Sequence, residues 1–124
     1  MSSSVPSSPD ANLLRGHLDL ILLSIIQGQP KYGLEISKQA QERTQGYFDL
    51  KVGSLYPALH RLEKAGFVRG EFQPAPRSGS PVKVYALTES GGRELEARRR
   101  EFETFSQQLG KLWQLDSMQL GGTA

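Results

Sequence analysis

The apolar positions of the chain fall into four helix-like stretches and two short alternating ones. From Ala11 to Gln27, Leu13, Leu14, Leu18, Leu20–Leu23, Ile25 and Ile26 leave almost no polar face. A helix that is apolar nearly all round is buried on several sides, and in a chain this small a second subunit is one way to cover it. The stretch GQPKYG (28–33) reads as a turn, and a second helix over 34–43 points Leu34, Ile36 and Ala40 at the core. After the connection QGYFDLKVG (45–53), Leu55, Leu59 and Leu62 recur at i, i+4 and i+7, a helical face closed by Gly66. Pro57 interrupts that face, where a proline removes a hydrogen bond and crowds the preceding turn. With Ser54 as the cap, Pro57 falls in the first turn, whose N–H groups lack intrahelical partners in any case. The geometry disfavoured before a proline then splays Tyr56 outward.

FVRGEFQ (67–73) and VKVYAL (82–87) alternate as short strands, and PAPRSGSP (74–81) between them is a loop of breakers. Together they predict a hairpin with a polar, basic tip. Thr88 is placed to cap the last helix, 89–116. There Leu95, Phe102 and Leu109 repeat every seven residues, and Arg98, Phe105 and Leu112 hold the second seam position. That 3.5-residue period describes a helix packed along a partner helix. Gly91 and Gly92 each cost such a helix roughly 1 kcal/mol relative to alanine, which marks a close backbone approach. The predicted fold is mainly α with a small β-hairpin: a winged helix-turn-helix plus a long C-terminal dimerisation helix. Its parts are a disordered Ser/Pro tail (1–10), a winged-helix domain (11–88), the dimerisation helix (89–116) and a flexible tail (117–124).

Charge sharpens this picture only locally. The 124 residues carry a net charge of +2, but residues 31–85 hold nine basic and five acidic side chains, while the remainder is net negative. The basic middle fits a polyanionic partner, and equally a solvated mixed surface. The absence of cysteine excludes disulfides, thiolate metal sites and thiol catalysis. His17 and His60 alone make no structural zinc site, and His17 reads as a packed or capped histidine. Ser54 in VGSLY lacks the second glycine of a nucleophile elbow, and there is no phosphate-binding or dinucleotide fingerprint. No catalytic residue, metal or cofactor is expected. LDLILLSII (18–26) is too short for a membrane helix and carries Asp19 and Ser24. MSSSVPSSPD lacks the basic start and apolar core of a secretion signal, so a cytoplasmic protein is expected.

Projected on a helical wheel, Leu55, Ala58, Leu59 and Leu62 share one side of the third helix. Ser54, Pro57, His60, Arg61 and Lys64 share the other, with Tyr56 at the flank. Hydroxyls, imidazole, guanidinium and ammonium suit phosphate oxygens and base edges, although many amphipathic helices merely solvate such a face. GSLYPALHRLEKAGFV resembles the PadR family of transcription regulators, whose third helix carries a LYPxLxxLExxG pattern. The likeness extends to LLRGHLDLILLSII, KYGLEI and KVYALTESG and covers roughly residues 11–92 and the long last helix.

The resemblance implies a homodimer built by the last helix with the first, binding double-stranded DNA as a repressor that ligands or stress relieve. By position it makes Tyr56 a phosphate contact, Ser54, Pro57, His60 and Arg61 groove-facing groups, and Lys83 a basic residue of the second wing strand. Lys51, Lys64 and Arg77 complete the expected DNA-binding set. Where many members carry RKYYxLT this chain has RSGSPVKVYALT, so Val84 replaces an aromatic and Arg77 is the main wing charge. The implied dimer interface is Leu14, Leu18, Leu95, Phe102, Phe105, Leu109 and Leu112. Phe102, Phe105 and Trp113 form either part of the dimer core or a pocket for a small aromatic or hydrophobic effector. Arg98 is expected to pair across that interface with Glu94 or Glu101, or to stack on a ring. The alternative function is a winged-helix protein-interaction or small-molecule-sensing module without specific DNA binding.

Overall fold

The structure, a computed structural model, describes residues 8–75 and 77–120; the expectations for 1–7 and 121–124 lie outside the described residues. The elements are α1 (Ala11–Ile26), β1 (Lys31–Tyr32), α2 (Gly33–Arg43), α3 (Val52–Lys64), β2 (Val68–Pro74), β3 (Pro81–Leu87) and α4 (Glu89–Leu120). Asp10 starts α1 by accepting from the N–H groups of Asn12 and Leu13 at 3.0 and 3.3 Å, the exchange that serves otherwise orphaned donors. Leu22, Leu23 and Ile26 of α1 then meet Ile36 of α2 and Leu55, Leu59 and Leu62 of α3 in one core, closed by Val68, Tyr85 and Leu95. The near-continuous apolar run of α1 is thus used by all three other helices and the sheet.

The sheet has three strands in the order β1-β3-β2, not the expected two. Lys31 and Tyr32, read as part of a turn, pair antiparallel with Tyr85 and Val84. Two residues are too few to show a strand's alternation, which is why the pattern misses them. Leu34 is exposed rather than in the core. Ile36 and Ala40, one turn apart, set the buried stripe of α2, and Leu34 lies two residues before Ile36, on the opposite side of the helix.

The third helix begins at Val52, with Lys51 as the residue before it and no side-chain cap. The N–H groups of Ser54 and Leu55 both donate to the Lys51 carbonyl, at 3.0 and 2.8 Å. Ser54 is therefore inside the helix, and Pro57 is in its second turn rather than its first. The proline has no N–H for the carbonyl of Gly53. Both residues are exposed, so water can serve that oxygen and the helix tolerates the proline.

At its other end α3 closes on Gly66 (φ 85°). Gly66 N–H donates to the Glu63 carbonyl and Phe67 N–H to the Leu62 carbonyl, both at 3.0 Å, the pairing of a Schellman cap. This cap is joined directly to the start of α4. Thr88 donates its hydroxyl to the Gly66 carbonyl (2.6 Å) and accepts from the N–H of Gly91 (3.0 Å), so it caps α4 as expected. A Cβ at Gly91 would overlap the Phe67 carbonyl, whereas at Gly92 only Leu87 comes near, at 4.0 Å. The close approach inferred for the glycine pair belongs to Gly91. Beyond it α4 runs to Leu120, past 116 and through residues 117–120 that were expected to be a tail. Its exposed ladder, Arg99 to Glu96 and Glu103 and Arg100 to Glu96, is screened by solvent and adds little to stability. The hydrogen bonds from Arg99 and Arg100 hold the Glu96 carboxyl below its ordinary pKa.

Candidate nucleic-acid interface

The connection between α2 and α3 is pinned at three points. Thr44 donates to the Ala40 carbonyl (2.6 Å) and accepts from Phe48 N–H (3.0 Å). Gly46 turns at φ 85°, and Ser37 of α2 donates to the carbonyl of buried Leu50 (3.2 Å). Tyr56 adds a fourth contact, between the helices themselves. Its ring lies on Gly33, so a Cβ there would come within 2.6 Å of the ring edge. Only glycine lets the first turn of α2 approach α3 this closely.

With Leu55, Ala58, Leu59 and Leu62 buried, α3 turns an outer ridge of Gly53, Pro57, His60 and Lys64 to solvent, with exposed Ser54 beside it. The two flanks of the ridge are fastened to the body of the protein. On one flank, Arg61 Nη2 lies 2.7 Å from Asp19 Oδ1 of α1. On the other, Glu63 Oε1 lies 2.9 Å from the Lys83 ammonium of β3, the two side chains being only 29% and 33% exposed.

Lys83, expected among the DNA contacts, thus joins the wing to α3 through an ion pair within the chain. Its ammonium also lies 5.7 and 5.9 Å from the ring centroids of Phe72 and Tyr85. The hydrogen bond it donates to the Glu63 carboxylate raises its pKa above the ordinary lysine value, against an opposing effect of burial. Burial likewise pushes the Tyr85 hydroxyl up. Gly70 makes room for the clamp: a Cβ there would meet Lys83 Cε at 2.6 Å and Glu63 Oε2 at 3.1 Å.

Of the other expected cations, Lys51 pairs with Asp49 (2.9 Å) on an exposed site. Lys64, at the end of the ridge, and Arg77, at the wing tip, are exposed and make no ion pair among the described residues. The tip around Arg77 is closed by Ala75 N–H donating to the Ser80 carbonyl at 2.7 Å. A helical wheel groups Arg61 with the outward residues and says nothing of Asp19 or of a partner for Glu63. Their partners come from other elements, 42 residues away for Arg61, and nothing local announces them.

The expected dimer residues divide in two. Leu18 and Leu95 are 7% and 6% exposed within the single chain, so they belong to its own core and are not free to form an interface. The reason is that α4 packs on α1 through Leu95. Leu14 and Leu109 are half-buried, and Phe102, Phe105 and Leu112 are exposed. Leu13, Leu14, Ile21, Ile25, Phe48 and Phe102 are among the residues that line an apolar cleft of about 540 Å3.

His17 is packed as expected, its Nδ1 2.9 Å from the Leu13 carbonyl oxygen and its ring edge-on to Phe102 at 5.2 Å. Phe102 and Phe105 share a second recess with His17 and Arg98. Trp113, expected with them, does not line it; eleven residues of helix separate it from Phe102 by roughly 16 Å. Arg98 pairs within the chain, its Nε 2.6 Å from Glu94 Oε2 and its Nη1 3.5 Å from Asp19 Oδ2. Among the described residues no cluster of acidic or histidine side chains suits a metal ion, and no helix is long and apolar enough to cross a membrane.

Known proteins share this arrangement. A transcriptional regulator from Clostridium thermocellum superposes with a TM-score of 0.74 at 27% identity, covering 83% of this chain and 96% of that one. A PadR family transcription regulator from Clostridium difficile gives 0.69 at 32% identity, covering 79% and 99%. Transcriptional regulator YqjI of Escherichia coli is 28% identical over 94 residues, 76% of this chain, and the match spans 43% of that longer protein. Residues 22–97 match the group described as the transcriptional regulator PadR-like family. Those residues hold the core of α1, the helix-turn-helix, the wing and the joint to α4, so the chain belongs to the PadR-like family and is a DNA-binding regulator of transcription with a winged helix-turn-helix.

Proposed function

We propose that the protein is a homodimeric repressor that reads an inverted repeat, with α3 of each protomer in the major groove. The observation that carries this reading is the division of α3: its flanks are fastened internally, while Ser54, Pro57, His60 and Lys64 have no protein partner among the described residues. The imidazole and the hydroxyl are suited to base edges, and Lys64 to phosphate. Tyr56, with its ring braced on Gly33, presents its hydroxyl at the edge of the same surface. Lys51 exchanges exposed Asp49 for a phosphate, and Arg77 carries the wing to the flanking backbone. Support for a dimer comes from the unpartnered apolar line of Phe102, Phe105, Leu109 and Leu112 and from the apolar cleft beside α1. Two-fold symmetry then places half-sites one or two helical turns apart. Repression itself rests on the family resemblance.

Selection of bound sequences from random DNA tests the reading. A two-fold symmetric consensus is expected; enrichment of no sequence would refute it. His60→Ala is expected to relax discrimination at one position of each half-site by about 1–3 kcal/mol, read from titrations against single-base variants. Arg77→Met should flatten the salt dependence of DNA binding by roughly 0.9 in log–log slope per protomer. Lys83→Met should leave that slope unchanged, because its charge is committed to Glu63.

A small-molecule response is favoured by one observation. The recess that joins His17, Phe102 and Phe105 beside Arg98 has the flat aromatic walls that suit a small aromatic effector. Such a compound is expected to release the selected operator in a gel-shift titration, and His17→Ala, in the same recess but outside the proposed dimer line, to weaken that release while leaving operator binding in its absence intact.

A further inference from the structure

The one acidic side chain of α1 inside its apolar run, Asp19, is 20% exposed and stands between two arginines from different helices. Its Oδ1 takes Arg61 of α3 at 2.7 Å, and its Oδ2 lies 3.5 Å from Arg98 of α4. Arg98 is itself held by Glu94 at 2.6 Å. The Arg61 side chain is 59% exposed and springs from the flank of α3 next to the outer ridge, so it has room to turn from α1 toward a bound duplex.

We propose that Asp19 is a specificity-determining residue: it holds the Arg61 guanidinium against α1 in the free protein, withholds that charge from non-specific DNA, and releases it only to a matching base pair. The inference rests on the DNA-reading function proposed above. A short charge-assisted pair at a half-buried carboxylate outcompetes a single solvent-screened phosphate contact. A guanine edge, which takes a guanidinium through two parallel hydrogen bonds, is a stronger competitor. Release would strand a half-buried carboxylate, a costly outcome for a lone charge. Arg98, already beside the second oxygen, removes that cost by staying with Asp19 when Arg61 leaves. The exchange therefore links the reading helix to α4 through one carboxylate.

The test is a salt titration of binding to the selected operator and to a random-sequence duplex. Wild type is compared with Asp19→Asn, Arg61→Met, the double variant and Arg98→Met, each checked by circular dichroism. Asp19→Asn should tighten random-DNA binding, steepen its log–log salt slope by about 0.9 per protomer, and so lower the ratio of operator to random affinity. The double variant should return the slope to the wild-type value. Arg61→Met should leave the random-DNA slope unchanged and weaken the operator alone. Arg98→Met should likewise weaken the operator alone, since Arg61 then has no replacement at Asp19. An unchanged random-DNA slope in folded Asp19→Asn would overturn the proposal. So would a flattening of that slope by about 0.9 in Arg61→Met, which remains decisive if Asp19→Asn does not fold. If wild type binds neither DNA, the DNA-reading function itself falls with it.

Discussion

Gly91→Ala is expected to destabilise the protein by about 1–3 kcal/mol, while Gly92→Ala, one residue away, stabilises it by up to about 1 kcal/mol. Alanine favours a helix over glycine at both positions. At Gly91 the new methyl group meets the carbonyl of Phe67, a backbone atom that cannot rotate aside. Relief requires α4 to move away from the end of α3. That movement strains the bonds through which Thr88 holds Gly66 and Gly91 together. At Gly92 the nearest atom is Leu87 Cδ2 in ordinary contact at 4.0 Å, so only the propensity gain remains. Urea unfolding at a fixed protein concentration reads both values. Equal effects from the two substitutions would mean that the joint yields freely and does not set the angle of α4.

Leu112→Glu, alone or with Phe105→Glu, is expected to turn the proposed dimer into a monomer in sedimentation velocity. With it, operator affinity should fall by about 10²–10⁴-fold, the avidity lost when two linked half-site contacts become independent. Both side chains are exposed in the single chain, so the charge disturbs no intrachain core and each protomer should keep its helical circular dichroism. Affinity for an isolated half-site should barely change, because these residues lie on α4, away from the outer ridge of α3. A variant that stayed dimeric would move the interface elsewhere. A variant that turned monomeric yet bound the full operator as tightly as wild type would remove the two-fold reading.

Much of the architecture is legible in local pattern. The period of α1, the buried face of α3, the alternation of β2 and β3 and the Thr88 cap each follow from residues within one element or one turn. The misses share a physical cause. Ser54 has good capping chemistry, yet α3 starts at Val52 without any side-chain cap, because Leu55 must reach the core from a helix already under way. β1 is too short to carry a period. Leu95 has the heptad spacing of an interface and Leu18 is expected beside it, but both are consumed by the packing of α4 on α1. For the candidate site, a helical wheel separates buried from exposed positions and says nothing of neighbouring elements. It therefore finds His60 and Lys64 correctly placed on the outer surface, but cannot see that Asp19 and Glu63 fasten the flanks through Arg61 and Lys83.

That outer ridge has an evolutionary meaning. Ser54, His60 and Lys64 contribute nothing to the core, to the Schellman cap, to the wing clamp or to the joint with α4. Exchange of these three side chains should thus be close to neutral for folding while, on the proposed reading, altering what the helix recognises. Descendants of such a sequence can drift to new target sites without first acquiring stabilising changes elsewhere. A library randomised at positions 54, 60 and 64 would sample new targets on a scaffold that stays intact.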